Sequence, residues 1–199
     1  MTITVRRSRP EDHAAILALM DKARGTGLSD EERARRGFVQ GTMTPDILAR
    51  FQDGPGIFVA EATEEADAAH APGAPGELAG FAVTSEPGPL PPEHPATAAV
   101  AAVTKAAAGR DLGRLFLYGP VAVDDHFQGR GILTRLLTTL SRALKDDYDL
   151  AVAFVETANA RSLAVHRHYG MTEAASFETA GRGYVAFTFA PAAFAGGRS

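Results

Sequence analysis

Two apolar runs, RLFLYGPVAV at 114–123 and DLAVAFVE at 149–156, bracket a helix-length segment and constrain the fold more than any other feature. Each run is nearly continuous in Leu, Val, Ala and Phe, the composition of a strand covered on both faces. Between them Ile132, Leu133, Leu136, Leu137, Leu140 and Leu144 fall on one helical stripe. A buried strand, a crossover helix and a second buried strand make a parallel pair. Pro120 interrupts the first run. Lacking an N–H, it cannot complete a ladder there, so a bulge or a broken pairing is expected.

The remaining chain adds shorter elements. Residues 3–8 alternate like an edge strand, and Ser8 to Glu11 has capping-box spacing ahead of a helix over 9–24. SDEERARRGF and TPDILARFQ suggest a second helix in one or two pieces. Strands are expected at 56–62, 77–85, 172–178 and 183–189, with a short helix in NARSLAVHRHYG and another in ATAAVAAVTKAAAG. The Ala-, Gly- and Pro-rich stretch 63–76 is expected to be a mobile hairpin loop, and 191–199 a flexible tail. No internal repeat is visible. Residues 1–199 therefore form one mixed α/β domain.

Composition removes several chemistries. The formal charge of −4 argues against a general nucleic-acid binder. There is no cysteine, hence no disulfide, thiolate metal site or cysteine nucleophile, and no metal is expected. MTITVRRSRPED lacks the apolar run of a signal peptide, and no stretch of about 18 apolar residues suggests a membrane span, so a cytoplasmic protein is expected.

The loop between the first apolar run and the helix reads Gln128, Gly129, Arg130, Gly131, Ile132, Leu133. A helix start carries orphan N–H donors and the positive end of a dipole, and glycines there let an anion come close. A nucleotide P-loop needs Lys-Ser or Lys-Thr after the glycine, and neither is present. A dinucleotide fingerprint needs a third glycine where Thr134 stands, and five residues, Asp124 to Gln128, separate the strand from the first glycine. An anion cradle and a plain loop-to-helix turn remain.

Context favours the cradle. Gln128 and Gly131 resemble the acyl-CoA-binding motif Q/R-x-x-G-x-G/A of the GNAT superfamily of N-acetyltransferases, with Leu133 in place of the last small residue. Downstream, Asn159, Ser162, Gly170 and Met171 resemble the family segment N-x-x-A-x-x-x-Y-x-x-x-G-F, with His166 at the tyrosine position. The order of elements agrees from residue 3 to about 189. The resemblance implies a central mixed, mostly antiparallel sheet flanked by helices, in which two parallel strands splay apart.

It implies acetyl-CoA as co-substrate, its pantetheine paired with the backbone of Val121, Ala122 and Val123, and the Val123 N–H polarising the thioester carbonyl. Gln128, Gly129, Arg130, Gly131, Ile132 and Leu133 would cradle the pyrophosphate, with Asn159 and Ser162 also at the cofactor. The acceptor would be a primary amine of a small molecule or peptide, attacking without an acyl-enzyme. His166 is expected to be the general acid for the CoA thiolate. No base is assigned among Glu156, Asp124, Asp125 and His126. The basic run Arg33, Arg35 and Arg36 falls where the family covers its acceptor site, and the long connections 63–76 and 86–111 are expected to flank that side. Homodimers are common in the family. The rival reading is a non-catalytic acyl-CoA sensor of the same fold, and a nicotinamide enzyme is a third.

Overall fold

The computed structural model describes residues 1–64 and 76–196. In chain order its elements are β1 (Thr2–Arg7), α1 (His13–Ala23), α2 (Asp30–Arg36), α3 (Pro45–Asp53), β2 (Gly56–Thr63) and β3 (Glu77–Ser85). They continue with α4 (Pro95–Ala106), β4 (Leu115–Val123), α5 (Ile132–Leu144), β5 (Leu150–Glu156), α6 (Ala160–His168), β6 (Thr172–Thr179) and β7 (Arg182–Phe189). The strands form one sheet in the order β1-β2-β3-β4-β5-β7-β6. Every pairing is antiparallel except β4 with β5. This is the mixed, mostly antiparallel sheet that the resemblance implies, with the parallel pair that the two apolar runs predict.

Strand alternation sends side chains to two helical layers. On one face Phe58, Ala60, Phe116, Ala153 and Phe187 pack with Leu136, Leu137, Leu140 and Leu144 of α5 and Leu163 of α6. On the other, Ile57, Val59, Phe81 and Val83 meet Ile16, Leu19 and Met20 of α1 and Leu48 of α3. Further along that face Ala96, Ala99 and Val103 of α4 cover Leu117, Val152 and Ala186. The 86–111 segment thus contributes a core helix rather than only a connection beside the acceptor side.

Two boundaries differ from expectation. The first capping box sits one residue later than Ser8–Glu11. Pro10 occupies the first turn, and Asp12 accepts the Arg9 N–H at 2.6 Å. The expected tail is structured through residue 196: Pro191–Ala193 form a 3₁₀ turn, and Phe194 is buried against Phe189 with ring centroids 5.1 Å apart. An apolar aromatic five residues before the last has a docking site, which composition alone did not reveal. Residues 65–75 of the expected hairpin loop and 197–199 of the tail lie outside the described residues.

Candidate functional site

The parallel ladder between β4 and β5 has only three rungs, Leu115–Leu150, Phe116–Ala151 and Leu117–Val152. Beyond Leu117 the strands separate, although β4 continues to Val123 and β5 to Glu156. Pro120 lies within the separated part, after a cis Gly119–Pro120 bond, and the β3–β4 register shifts opposite it, between Ala82 and Thr84. The expected bulge is therefore present on the β3 side and the broken pairing on the β5 side.

The register past Pro120 fixes which backbone groups face the gap. Asp124 donates its N–H to the Ala79 carbonyl of β3 at 3.0 Å. Because strand amides alternate in direction, Ala122 also faces β3, while Val121 and Val123 face the side that β5 has left. Of the three residues expected to serve the cofactor through their backbone, two present amide edges to the gap, and Ala122 spends its own on the sheet.

The glycine loop closes one end of this gap. Asp124 caps a 3₁₀ turn, Asp125–Phe127, by accepting the His126 N–H at 2.9 Å, and buried Phe127 pins the turn to the core. Gly131 then starts α5 in the left-handed region (φ 69°), as does Gly129 (φ 76°). Gly131 offers α5 no side-chain cap, and no hydrogen bond from a described side chain reaches its first-turn N–H groups. Among the described residues, a Cβ built at Gly129 or Gly131 would meet no atom within 4 Å beyond the adjoining residues, so the glycines face open space.

Together these elements enclose a cleft of about 460 Å³, within the range of about 300–1,000 Å³ usual for small-molecule sites. Val121, Ala122, Val123, Gln128, Gly129, Gly131, Ile132, Leu133, Ser162 and His166 all line it. Arg130 and Asn159 do not. The exposed Arg130 guanidinium lies 5.9 Å from the Phe127 ring and 3.4 Å from the Met1 sulfur, away from the cradle. Asn159 is buried, its Oδ1 accepting the Ser162 N–H at 3.2 Å and its Nδ2 donating to the Phe38 carbonyl at 2.7 Å. Both ends of that amide are committed: Asn159 caps α6 and ties down the Phe38–Val39 segment that covers the cleft.

His166 sits against the cleft wall, its ring 4.9 Å from Phe187 and 6.4 Å from Tyr118. Its Nδ1 is 2.8 Å from the Ser162 carbonyl oxygen. A carbonyl only accepts, so Nδ1 carries the hydrogen and Nε2 presents a lone pair. Burial lowers the imidazole below its ordinary 6.5, with the Ser162 bond opposing it in part. The apolar walls around the ring are the cause, and they favour its neutral form.

Two tyrosines that sequence inspection did not single out share the cleft. Tyr118 is buried, and burial, with Tyr169 nearby, pushes its phenol well above the ordinary range. Tyr169, one turn beyond His166, hydrogen-bonds Thr134 Oγ1 at 2.8 Å and so bridges α6 to α5. Its spacing from His166 was the available signal.

Charges ring the mouth. Lys22 donates to Asp124 at 2.9 Å and Arg36 to Asp125 at 2.6 Å. Burial raises the Asp124 carboxyl, but the His126 N–H and the Lys22 ammonium outweigh it, and the net shift is downward. Of the basic run, Arg36 alone lines the cleft; Arg33 stacks over Phe38 at 4.3 Å. Glu156 lies outside the lining and is held by Gln40 and Arg182.

Comparison with known proteins bears on the family and the fold. The model of the acetyltransferase (GNAT) family matches residues 27–171. No match was found among curated proteins. An N-acetyltransferase from Staphylococcus aureus Mu50 superposes with a TM-score of 0.59 at 19% identity, covering 96% of this chain and 99% of that one. A ribosomal-protein-alanine N-acetyltransferase from Brucella melitensis gives 0.57 at 18% identity, covering 94% and 99%. An acetyltransferase-like protein from Salmonella typhimurium, solved with its cofactor acetyl-CoA, gives 0.56 at 15% identity, covering 96% and 95%. At these identities the superpositions speak for the fold.

Proposed function

The chain belongs to the acetyltransferase (GNAT) family, and from that premise we propose that it transfers an acetyl group from acetyl-CoA directly to a primary amine of a small molecule or peptide. One observation carries this reading: the Val121 and Val123 amide edges face a strand gap that leads to an uncapped, glycine-lined helix start. A flexible arm with amides of its own fits the gap, and the diphosphate to which it is attached fits the helix start. The Val123 N–H would stabilise the oxyanion as the amine adds to the thioester carbonyl. His166 Nε2 then takes the proton from the nitrogen, and the same proton passes to the sulfur as the C–S bond breaks. A single neutral imidazole can serve both transfers, so no separate base is required.

The deciding experiment is calorimetric titration with acetyl-CoA followed by detection of free CoA against an amine panel. Saturable binding with amine-dependent CoA release supports the enzyme. Tight binding with no turnover on any amine favours the sensor reading, and absence of binding removes both. Gly131→Ala tests the cradle separately. The new methyl group must adopt the left-handed conformation, which costs about 1–2 kcal/mol of stability, and it intrudes where phosphate would sit. The CoA Kd is expected to rise by about tenfold or more, the equivalent of one lost charge-assisted hydrogen bond. An unchanged Kd would place the phosphates elsewhere.

A further inference from the structure

At the mouth of the cleft two cations from different elements join one chain of contacts around the Asp125 carboxylate, Arg36 directly and Arg161 through Gln128. Arg36, at the end of α2, donates from Nη2 to Asp125 Oδ2 at 2.6 Å. Gln128 Nε2 donates to Asp125 Oδ1 at 2.6 Å, and Arg161 Nη2, in the first turn of α6, donates to Gln128 Oε1 at 3.2 Å. Arg36, Asp125, Gln128 and Arg161 all line the cleft beside Gly129 and Gly131.

The Asp125 carboxylate is not what shapes the loop. The Asp124 cap, the Asp124 bond to Ala79 and buried Phe127 already do that. Nor does it balance the charge of the contact chain it belongs to, since that contact chain carries two guanidiniums, Arg36 on Asp125 and Arg161 on Gln128, and one carboxylate, whereas Lys22 and Asp124 beside it are matched one to one. The Arg36–Asp125 pair is about half exposed on each side (50% and 49%), and ion pairs of that exposure are weak. An anion of higher charge, offering several oxygens, competes well for such donors.

We propose that Asp125 is an internal anion that holds Arg36 and Gln128 until cofactor binds, and that the CoA diphosphate displaces it and recruits Arg36 and Arg161. The inference rests on the acyl-CoA reading above and adds to it two cations outside the glycine loop and a built-in competitor. Because α2 runs through Gly37 into the Phe38–Val39 cover, the exchange also links a loaded cofactor to the segment above the cleft.

The test is calorimetry on the full chain with CoA, and with dephospho-CoA, which keeps the diphosphate but lacks the 3′-phosphate. Asp125→Asn removes the competing charge and is expected to tighten both ligands by about two- to fivefold. Arg36→Gln is expected to weaken both by about tenfold or more. In the Arg36→Gln background, Asp125→Asn is expected to lose most of its gain, because the partner it releases is gone. Circular dichroism and melting verify that each variant is folded. Unchanged or weaker binding by folded Asp125→Asn would overturn the proposal, leaving Asp125 a loop-positioning residue. A gain confined to CoA would overturn the diphosphate assignment. If the wild-type chain binds neither ligand, it is the acyl-CoA reading itself that has failed.

Discussion

Replacing His166 with phenylalanine is expected to lower kcat by about 10²–10⁴-fold, the usual contribution of a positioned acid–base group, while leaving CoA binding nearly unchanged. That loss corresponds to about 2.7–5.4 kcal/mol of barrier. The ring touches Phe187 and Tyr118, so phenylalanine keeps the packing and removes only the nitrogens. The pH profile separates the two roles a histidine can play. If neutral Nε2 must accept the amine proton, kcat falls on the acid side, with an apparent pKa below 6.5 because burial depresses the ring. A group required in its protonated form would give the opposite limb, with activity lost as pH rises through the same range.

The same depression has a consequence for stability that does not depend on turnover. With the folded-state pKa below the unfolded 6.5, the unfolded chain binds the proton first as pH falls. Stability from the neutral buried ring is therefore held above 6.5 and lost as pH drops through the folded-state value. His166→Phe should flatten that part of the acid-sensitivity curve in denaturant melts. An unchanged curve and an unchanged kcat would remove His166 from the mechanism.

What could be read beforehand follows from what sequence periodicity encodes. The runs at 114–123 and 149–156 report local burial, and a proline inside an apolar strand reports a missing donor, so the sheet centre and its gap were legible. The glycine-led helix start of the Gln128–Leu133 loop was legible too, because glycine conformations are local properties of the backbone. Side-chain direction is not local. Arg130 turns toward Phe127 and Met1, and Asn159 divides its amide between Ser162 and Phe38, which lie three positions after it and 121 before it. Arg36 meets Asp125 across 89 positions, a contact that no spacing rule addresses. For His166 the residue type was visible, but its tautomer depends on the Ser162 carbonyl and its charge on aromatic walls from β4 and β7.

Phe116→Ala is expected to be the most destabilising single change near the site, at about 3–5 kcal/mol. For a chain of this size that shift lowers Tm by about 6–20 °C. Phe116 is fully buried and sits on the middle rung of the parallel ladder, opposite Ala151. Its ring makes edge contacts with Tyr148 at 5.4 Å and Phe189 at 6.2 Å. With only three rungs holding β4 to β5, little other pairing is available to compensate for the cavity. The apex of the gap lies one residue further on, at Leu117 and Val152, so loosening this clamp should also move the Val121–Val123 edge. Phe116→Ala is thus expected to weaken acetyl-CoA binding as well as the fold, whereas Leu133→Ala, half-buried at the cleft, should affect stability far less. A Phe116→Ala chain that melts like the wild type would show that the aromatic clamp is not what closes the sheet below the gap.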